Sequence, residues 1–203
     1  MCIDYWHIQD EVQRLEKADY FHIDVMDGRY VPNFACGPET FTCLKKYTNI
    51  PLDAHLMIQN PGEHIQLFAK LGASAITIHP DADLHPARTL INIKELGIAP
   101  GIAINPGISI ETVKELFPLC SHILVMTVNP GFAGQAFLDF TIDKIKALTS
   151  FNIPIWVDGA ISPERLKQLR AFGVSGFVLG TASLFGKGDY KKIMEDLKNE
   201  NIN

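Results

Sequence analysis

The stretch FHIDVMDG, Phe21–Gly28, alternates apolar and polar side chains in the way typical of a half-buried β-strand. The odd-numbered positions up to 25 are apolar, whereas His22 and Asp24 occupy even positions. Because the side chains of a strand have a period of two, His22 and Asp24 point to the same face. We therefore expect a strand that packs one face beneath helices and turns an imidazole and a carboxylate into the interior of the fold.

Composition indicates one globular domain covering residues 1–203. Of the 203 residues, 47% are hydrophobic and 20% are charged, which is enough to bury a large core. The net charge of −5 argues against a nucleic-acid surface. The four cysteines form no CxxC pair, so we expect a reduced, cytoplasmic interior. Neither a signal peptide nor an apolar run long enough to span a bilayer is visible, so we expect no membrane partner.

Short β-branched segments alternate with amphipathic ones along the chain, which predicts a parallel sheet covered by helices. The candidate strands are 20–25, 51–56, 75–79, 99–104, 122–128, 154–158 and 176–179. The candidate helices are 4–17, 38–46, 61–71, 85–96, 109–117, 138–150, 162–171 and 189–199. The alternative is an open doubly wound sheet, but the sequence has no GxGxxG turn that would support a dinucleotide site in such a fold. We therefore predict an α/β fold of the (β/α)8 TIM-barrel type. Such a barrel needs eight strands, and only Met1–Ile3 precede the first helix, so we expect the first strand to be truncated or missing.

Polar side chains collect at the carboxyl ends of the predicted strands, where (β/α)8 barrels carry their chemistry. These strand-end residues are His22, Asp24, His55, His79, Asn105 and Asp158. A single strand-end histidine is more often a hydrogen-bonded structural residue. Two imidazoles and two carboxylates at equivalent positions are instead a plausible set of ligands for a divalent metal. The remaining histidines, His7, His64, His85 and His122, are interpreted as structural.

Three further features belong to the same end of the predicted barrel. Methionines recur beside the polar strand ends, either as core filling or as an apolar cover over a reacting carbon. The segment NPGFAGQAF, Asn129–Phe137, is long and glycine-rich for a βα turn, which favours a lid over an irregular connection. The loops after the last two strands are candidate phosphate sites, because small residues there let backbone N–H groups approach an anion.

These motifs resemble the successive signatures of the ribulose-phosphate 3-epimerase family. HIDVMDGRYVPN, DAHLMIQNP, VMTVNPGFAGQ and VDG occur in the family's order, and the similarity runs over residues 2–195. The resemblance implies a ribulose-phosphate-binding (β/α)8 barrel that interconverts D-ribulose 5-phosphate and D-xylulose 5-phosphate. It also implies one divalent metal ion (zinc, Fe(II), manganese or cobalt), a cytoplasmic location and a homo-oligomer, either a dimer or a hexamer.

The resemblance also assigns roles to residues of this chain. The implied metal ligands are His22, Asp24, His55 and Asp158. The implied acid/base pair is Asp24 and Asp158, since inversion at a carbon beside a ketone needs a proton carrier on each face. The implied contacts to the ketose phosphate are His55, Met26, Met57, Met126, Gly131, Phe132, Ala133, Gly134, Gly159, Ala160, Gly180 and Thr181.

Three departures from the family pattern keep alternatives open. The chain starts with MCID, which corresponds to the segment just after the family's SPSIL strand, so the second serine of that strand, which contacts substrate, has no counterpart. The motif VDGA has Ala160 where glycine is commoner in the family. The motif HPD has Asp81 where the family has glutamate. Short similarities to D-allulose-6-phosphate 3-epimerase keep a six-carbon substrate open as one alternative. A non-catalytic sugar-phosphate-binding relative is another. A phosphate-binding decarboxylase or aldolase is disfavoured, because no predicted strand contains a lysine.

Overall fold

A computed structural model describes residues 2–199, and within them one curled sheet forms the centre of the molecule. Its strands are β1 (Phe21–Asp27), β2 (Phe34–Ala35), β3 (Leu52–Met57), β4 (Ala73–Ile78), β5 (Ala99–Ile104), β6 (His122–Met126), β7 (Ile155–Asp158) and β8 (Gly176–Val178). They are ordered β2-β1-β3-β4-β5-β6-β7-β8, and only the short β2 is antiparallel to its neighbour. The seven predicted strands are therefore confirmed as the parallel part of this sheet.

Helices connect the parallel strands. They are α1 (Ile8–Arg14), α2 (Pro38–Leu44), α3 (Ile65–Lys70), α4 (Pro86–Glu95), α5 (Thr141–Leu148), α6 (Pro163–Ala171) and α7 (Tyr190–Asn199). Local sequence explains the start of α6, because the Ser162 side chain accepts a hydrogen bond from the Arg165 N–H at 3.2 Å and Pro163 occupies the first turn. No helix in residues 2–199 is long and apolar enough to cross a bilayer.

Two predictions about local structure were wrong. The segment 109–117 was expected to be an α-helix, but it forms the 3-10 turns Ile110–Thr112 and Lys114–Leu119. Pro118 lies inside the second turn and has no N–H to donate, which prevents a regular helix from continuing through it. The strand expected over 122–128 ends at Met126, where the chain turns into the loop above the sheet.

The sheet curls without closing. In the described residues β8 and β1 do not pair, and we call the gap between them the seam. Cys2 and Ile3 belong to no strand, so the predicted stub is not formed there, and Met1 lies outside the described residues. A cavity of about 1030 Å³ occupies the mouth of the sheet and continues along the seam.

Both faces of the central strands are buried. On β3, Leu52 and Leu56 are fully buried on the face toward the helices, while Asp53 and His55 are fully buried on the inner face. Burying a leucine side chain contributes about 1.5–3 kcal/mol, so the outer face supplies stability. The inner face holds polar groups that require hydrogen-bond partners.

Candidate active site and metal centre

Four polar side chains meet at the carboxyl ends of β1, β3 and β7. Asp24 and His55 are direct neighbours in the register of β1 and β3. His55 Nδ1 lies 3.2 Å from Asp24 Oδ1 and 3.2 Å from His22 Nε2. Asp158 Oδ2 lies 3.9 Å from His22 Nε2. We call His22, Asp24, His55 and Asp158 the His/Asp cluster, and one donor atom from each lies within 4.8 Å of all the others.

Burial and proximity shift the pKa values of this cluster in opposite directions. Burial would lower the pKa of His22, but its hydrogen bonds to Asp24 and Asp53 outweigh burial and raise it well above its usual value. Burial would raise the pKa of Asp24, but the adjacent imidazoles of His22 and His55 hold it well below its usual value. Burial and the charge of Asp24 raise the pKa of Asp158. The two carboxylates therefore have different proton affinities.

The donor chemistry of the His/Asp cluster fits a divalent transition metal. Two imidazole nitrogens and two carboxylate oxygens suit zinc, ferrous iron, manganese or cobalt. His22 Nδ1 lies 2.7 Å from Asp53 Oδ2, so the ring has a carboxylate partner on the side away from the cluster, as ligand histidines usually do. The residues predicted from the sequence are thus brought together in a form that could hold one ion.

A third histidine extends the cluster inward. His79 Nε2 lies 2.8 Å from His55 Nε2, and the two rings are stacked at 5.0 Å. Burial and the neighbouring His55 hold the pKa of His79 well below its usual value, so its ring is neutral. His79 Nδ1 is buried without a hydrogen-bond partner among residues 2–199, and the Tyr30 ring lies 4.9 Å from the His79 ring. His79 therefore buttresses His55 and is itself covered by Tyr30.

The remaining predicted site residues surround the same cavity. Every implied substrate contact except the fully buried His55 lines its wall, whereas the strand-end Asn105 does not. Met26, Met57 and Met126 are buried to 5%, 2% and 2% exposure. Met26 and Met57 are register neighbours on β1 and β3, while Met126 is the register neighbour of Asp158. An apolar cover beside the carboxylates is therefore present.

The loop Asn129–Phe137, which we call the lid, is held by two side-chain amides. Gln135 Nε2 donates to the carbonyls of Asn129 at 2.6 Å and Phe132 at 2.9 Å. Asn33 Nδ2, on the loop after β1, donates to the Gly131 carbonyl at 2.7 Å. The Gln135 contacts brace the lid internally, and the Asn33 contact ties it to the loop after β1.

The loop after β7 has a backbone that suits a close approach to an anion. Gly159 has a φ of +119°, and a Cβ there would lie 2.6 Å from the Val128 side chain, so only glycine fits. Ala160 follows in the left-handed region, with a φ of +52°. Gly180 and Thr181 line the same cavity after β8. The candidate phosphate loops thus line one cavity, at the carboxyl ends of the adjacent strands β7 and β8.

The structure also reveals polar residues near the site that the sequence did not single out. Asp53 contacts His22. The sequence could have indicated this, because Asp53 and His55 have the same parity on β3 and their side chains therefore lie on the same face. Tyr30 donates to Asp81 at 3.1 Å and accepts from Asn105 Nδ2 at 2.6 Å. That link joins loops distant in sequence, and no periodicity could have indicated it.

A curled, mostly parallel sheet covered by helices, with polar side chains gathered at its strand ends, places the protein in the class of TIM-barrel-like α/β folds. KGPDC from Streptococcus mutans has a similar fold, with a TM-score of 0.76 at 14% identity over 94% of this chain and 88% of that one. The tryptophan synthase α-subunit from Pyrococcus furiosus matches with a TM-score of 0.71 at 14% identity, over 96% of this chain and 91% of that one. At such identities these two structures inform on fold alone.

Sequence comparison gives the family. The family model described as ribulose-phosphate 3 epimerase family matches residues 1–184. The ribulose-phosphate 3-epimerase of Helicobacter pylori is 39% identical over 98% of this chain and 94% of its own, and that of Bacillus subtilis is 36% identical over 98% and 95%. The chain belongs to the ribulose-phosphate 3-epimerase family and is an isomerase of the epimerase type. The resemblance inferred from the motifs is confirmed.

Proposed function

We propose that this protein is a metal-dependent epimerase that inverts C3 of a ketose phosphate, interconverting D-ribulose 5-phosphate and D-xylulose 5-phosphate. The observation that carries the proposal is the meeting of Asp24 and Asp158 with two imidazoles at one cavity wall. The names of the family and of its relatives support the substrate class.

The two carboxylates act as the proton carriers. One removes the C3 proton from one face of the ketose phosphate, and the other returns a proton to the opposite face of the enediolate. Their unequal proton affinities suit this exchange, because Asp24 is held ionised by His22 and His55 while Asp158 has a raised pKa. In the reverse direction the two carboxylates exchange roles.

His22, Asp24, His55 and Asp158 would hold the divalent ion. When bound there, it supplies Lewis-acid stabilisation of negative charge on the substrate oxygens. The methionine cover keeps water from the reacting carbon, and the lid closes the mouth above it. Backbone N–H groups around Gly159, Ala160, Gly180 and Thr181 bind the phosphate and so orient C3 between the carboxylates.

We also propose that the chain is a single (β/α)8 barrel domain over residues 1–203, with the seam as the position of its first strand. The curled sheet and the similar folds support this. The homo-oligomer and the cytoplasmic location expected from the resemblance stay predictions.

The test is exchange of the C3 proton of D-ribulose 5-phosphate for solvent deuterium, followed by NMR. The Asp158→Asn variant should lose about 100-fold to 10,000-fold of the exchange rate, the usual contribution of a general acid or base. The metal content of each variant, measured in parallel, separates the loss of a ligand from the loss of a proton carrier. The exposed Asp143→Asn on α5 is the matched control and should exchange at the wild-type rate.

D-allulose 6-phosphate assayed alongside decides whether the pocket prefers five or six carbons. If metal-loaded wild-type protein exchanges neither substrate, the proposal of an epimerase at this site is contradicted and a binding role is favoured.

A further inference from the structure

Below the His/Asp cluster, a line of fully buried polar side chains crosses the interior of the sheet. Asp53 and Thr77 are 0% exposed and His122 is 2% exposed. They come from three strands, β3, β4 and β6, and none of them belongs to the proposed ligand set. Burying three polar side chains in an otherwise apolar interior is costly unless each has a partner, so their arrangement requires a reason.

The hydrogen bonds of this line converge on the Asp53 carboxylate, which accepts at both of its oxygens. Thr77 Oγ1 donates its one proton to Asp53 Oδ1 at 3.1 Å, and it lies 2.9 Å from His122 Nε2. Because that proton is already donated, the Thr77 hydroxyl accepts from the Nε2–H of His122. The other carboxylate oxygen of Asp53 lies 2.7 Å from His22 Nδ1. As an acceptor-only group, Asp53 fixes a proton on that nitrogen.

At the far end of the line, the packing of Trp156 and Gly101 around the His122 ring fixes its position. The His122 ring is stacked on the Trp156 ring, with centroids 4.0 Å apart and an interplanar angle of 19°. Position 101, on the neighbouring β5, is glycine, and a Cβ there would collide with the His122 imidazole. The ring that starts the line therefore cannot rotate away from Thr77 without losing its stack.

We propose that Asp53, Thr77 and His122 form a positioning array that fixes the His22 ring with Nδ1–H toward Asp53. Nε2 is then the only ring nitrogen that can face the His/Asp cluster, and the array thereby sets the affinity of the cluster for a divalent metal. This inference rests on the proposed function only in taking the cluster as the metal site. The three residues are positioning residues, since they act through His22.

The first test measures the affinity of the purified, metal-stripped protein for zinc by competition with a chromogenic chelator. Asp53→Asn should weaken binding about 10-fold to 100-fold, the range typical of partners behind a ligand histidine. Thr77→Val, which keeps the shape and removes the hydroxyl, should weaken it by about tenfold, and Thr77→Ser should restore it. His122→Phe keeps a ring against Trp156 and should weaken binding less than Thr77→Val.

Thr89→Val is the matched control for Thr77→Val. Thr89 is also buried and donates to a carboxylate, that of Asp83 at 2.6 Å, but it lies on α4 and its partner belongs neither to the positioning array nor to the His/Asp cluster. Its loss should lower stability without changing zinc affinity. Equal affinities for Thr77→Val and Thr89→Val would overturn the inference.

The second test needs no metal and therefore separates this inference from the proposed function. In 15N-detected NMR of the metal-free protein, the Nδ1–H of His22 should be slow to exchange with solvent. Asp53→Asn should remove that signal, and Thr77→Val should move it. If wild-type protein binds no zinc, the assignment of the His/Asp cluster as a metal site is wrong, and so is the proposed effect of the array on metal affinity. If zinc binds but the signal is insensitive to Asp53→Asn, the positioning array alone is wrong.

Discussion

At the scale of single residues, the two carboxylates of the site differ because of their partners and not because of their burial. Both are withdrawn from bulk water, which raises the pKa of each. Asp24 is within 3.3 Å of both imidazoles of the cluster, whereas the nearest imidazole nitrogen to Asp158 is 3.9 Å away. Hydrogen bonding to the imidazoles thus lowers the pKa of Asp24 despite its burial, whereas the pKa of Asp158 stays raised.

The pKa shifts predict how the stability of the metal-free protein depends on pH. His22 has a raised pKa, so its stabilisation is complete below the unfolded value of about 6.5 and is lost as pH rises through the folded value. The raised pKa of Asp158 acts in the same direction. Asp24 and Asp53 have lowered pKa values, and their stabilisation is lost as pH falls below about 4.

Burial lowers the pKa values of His79 and His122, so their stabilisation is lost as pH falls below the unfolded value of about 6.5. The melting temperature of the protein in excess chelator should therefore be highest near about pH 6.5. Differential scanning fluorimetry across the pH range measures it. A melting temperature that keeps rising from about pH 6.5 to pH 8 would contradict the assignment of His22 as the dominant group.

Ala160 carries backbone strain that can be relieved. Its φ of +52° lies in the left-handed region, which costs a residue with a Cβ about 1–2 kcal/mol. Ala160→Gly should stabilise the fold by about 1 kcal/mol and raise Tm by roughly 2–4 °C. Ala182→Gly, in the next loop and without a positive φ, is the control and should be neutral or destabilising. A fall in Tm for Ala160→Gly would show that strain at this position is negligible.

The sequence predicted the site residues that end strands, because a polar residue in an apolar run is visible without coordinates. It did not single out Asp53, although Asp53 shares the parity of His55 on β3, and it interpreted His122 as structural, because the hydrogen-bond partners of a polar residue inside a strand depend on the pairing of the strands. The register of β3 and β4 brings Thr77 opposite His55 and within reach of Asp53. That pairing is long-range information that strand alternation does not contain.

At the scale of elements, the hydrogen bond from the Asn33 side-chain amide to the Gly131 carbonyl holds the lid across the mouth. Asn33→Asp keeps Oδ1, which accepts from the Phe34 N–H at 2.9 Å, and removes the donor that reaches Gly131. A hydrogen bond of this kind is worth about 1 kcal/mol, so the lid should open roughly fivefold more often. Chymotrypsin cleavage after the half-exposed Phe132 measures this opening. The exposed Asn92→Asp on α4 is the control, and equal cleavage rates in the two variants would contradict the latch.

Elements with a clear period were predictable and irregular ones were not. The parallel strands and most helices follow from alternation and from caps such as Ser162. The two-residue β2 is too short to have a period, and it forms because the chain folds back on the end of β1. The segment 109–117 has helical periodicity, but its turns are 3-10 and Pro118 lies within them.

At the scale of the whole molecule, the seam leaves two strand edges without partners in residues 2–199. The first part of β1 pairs only with β3, and β8 pairs only with β7, whereas β4 and β5 pair on both sides. Unpaired edges present free N–H groups. Hydrogen–deuterium exchange should therefore be faster in peptides from β1 and β8 than in those from β4 and β5. Uniform protection around the sheet would mean that something covers the seam in solution.

The seam also has a mechanical consequence for the two proton carriers. Asp24 lies on β1, at one edge of the seam, and Asp158 lies on β7, one strand in from the other edge, so the continuous hydrogen-bonded path between them runs the long way, through β3, β4, β5 and β6. The angle between neighbouring strands can vary slightly at each step along that path, and these small variations add up from β1 to β7. The separation of the two carboxylates is therefore the softest dimension of the site. A strand seated in the seam would fix that dimension directly, in addition to any contact that it makes with the substrate.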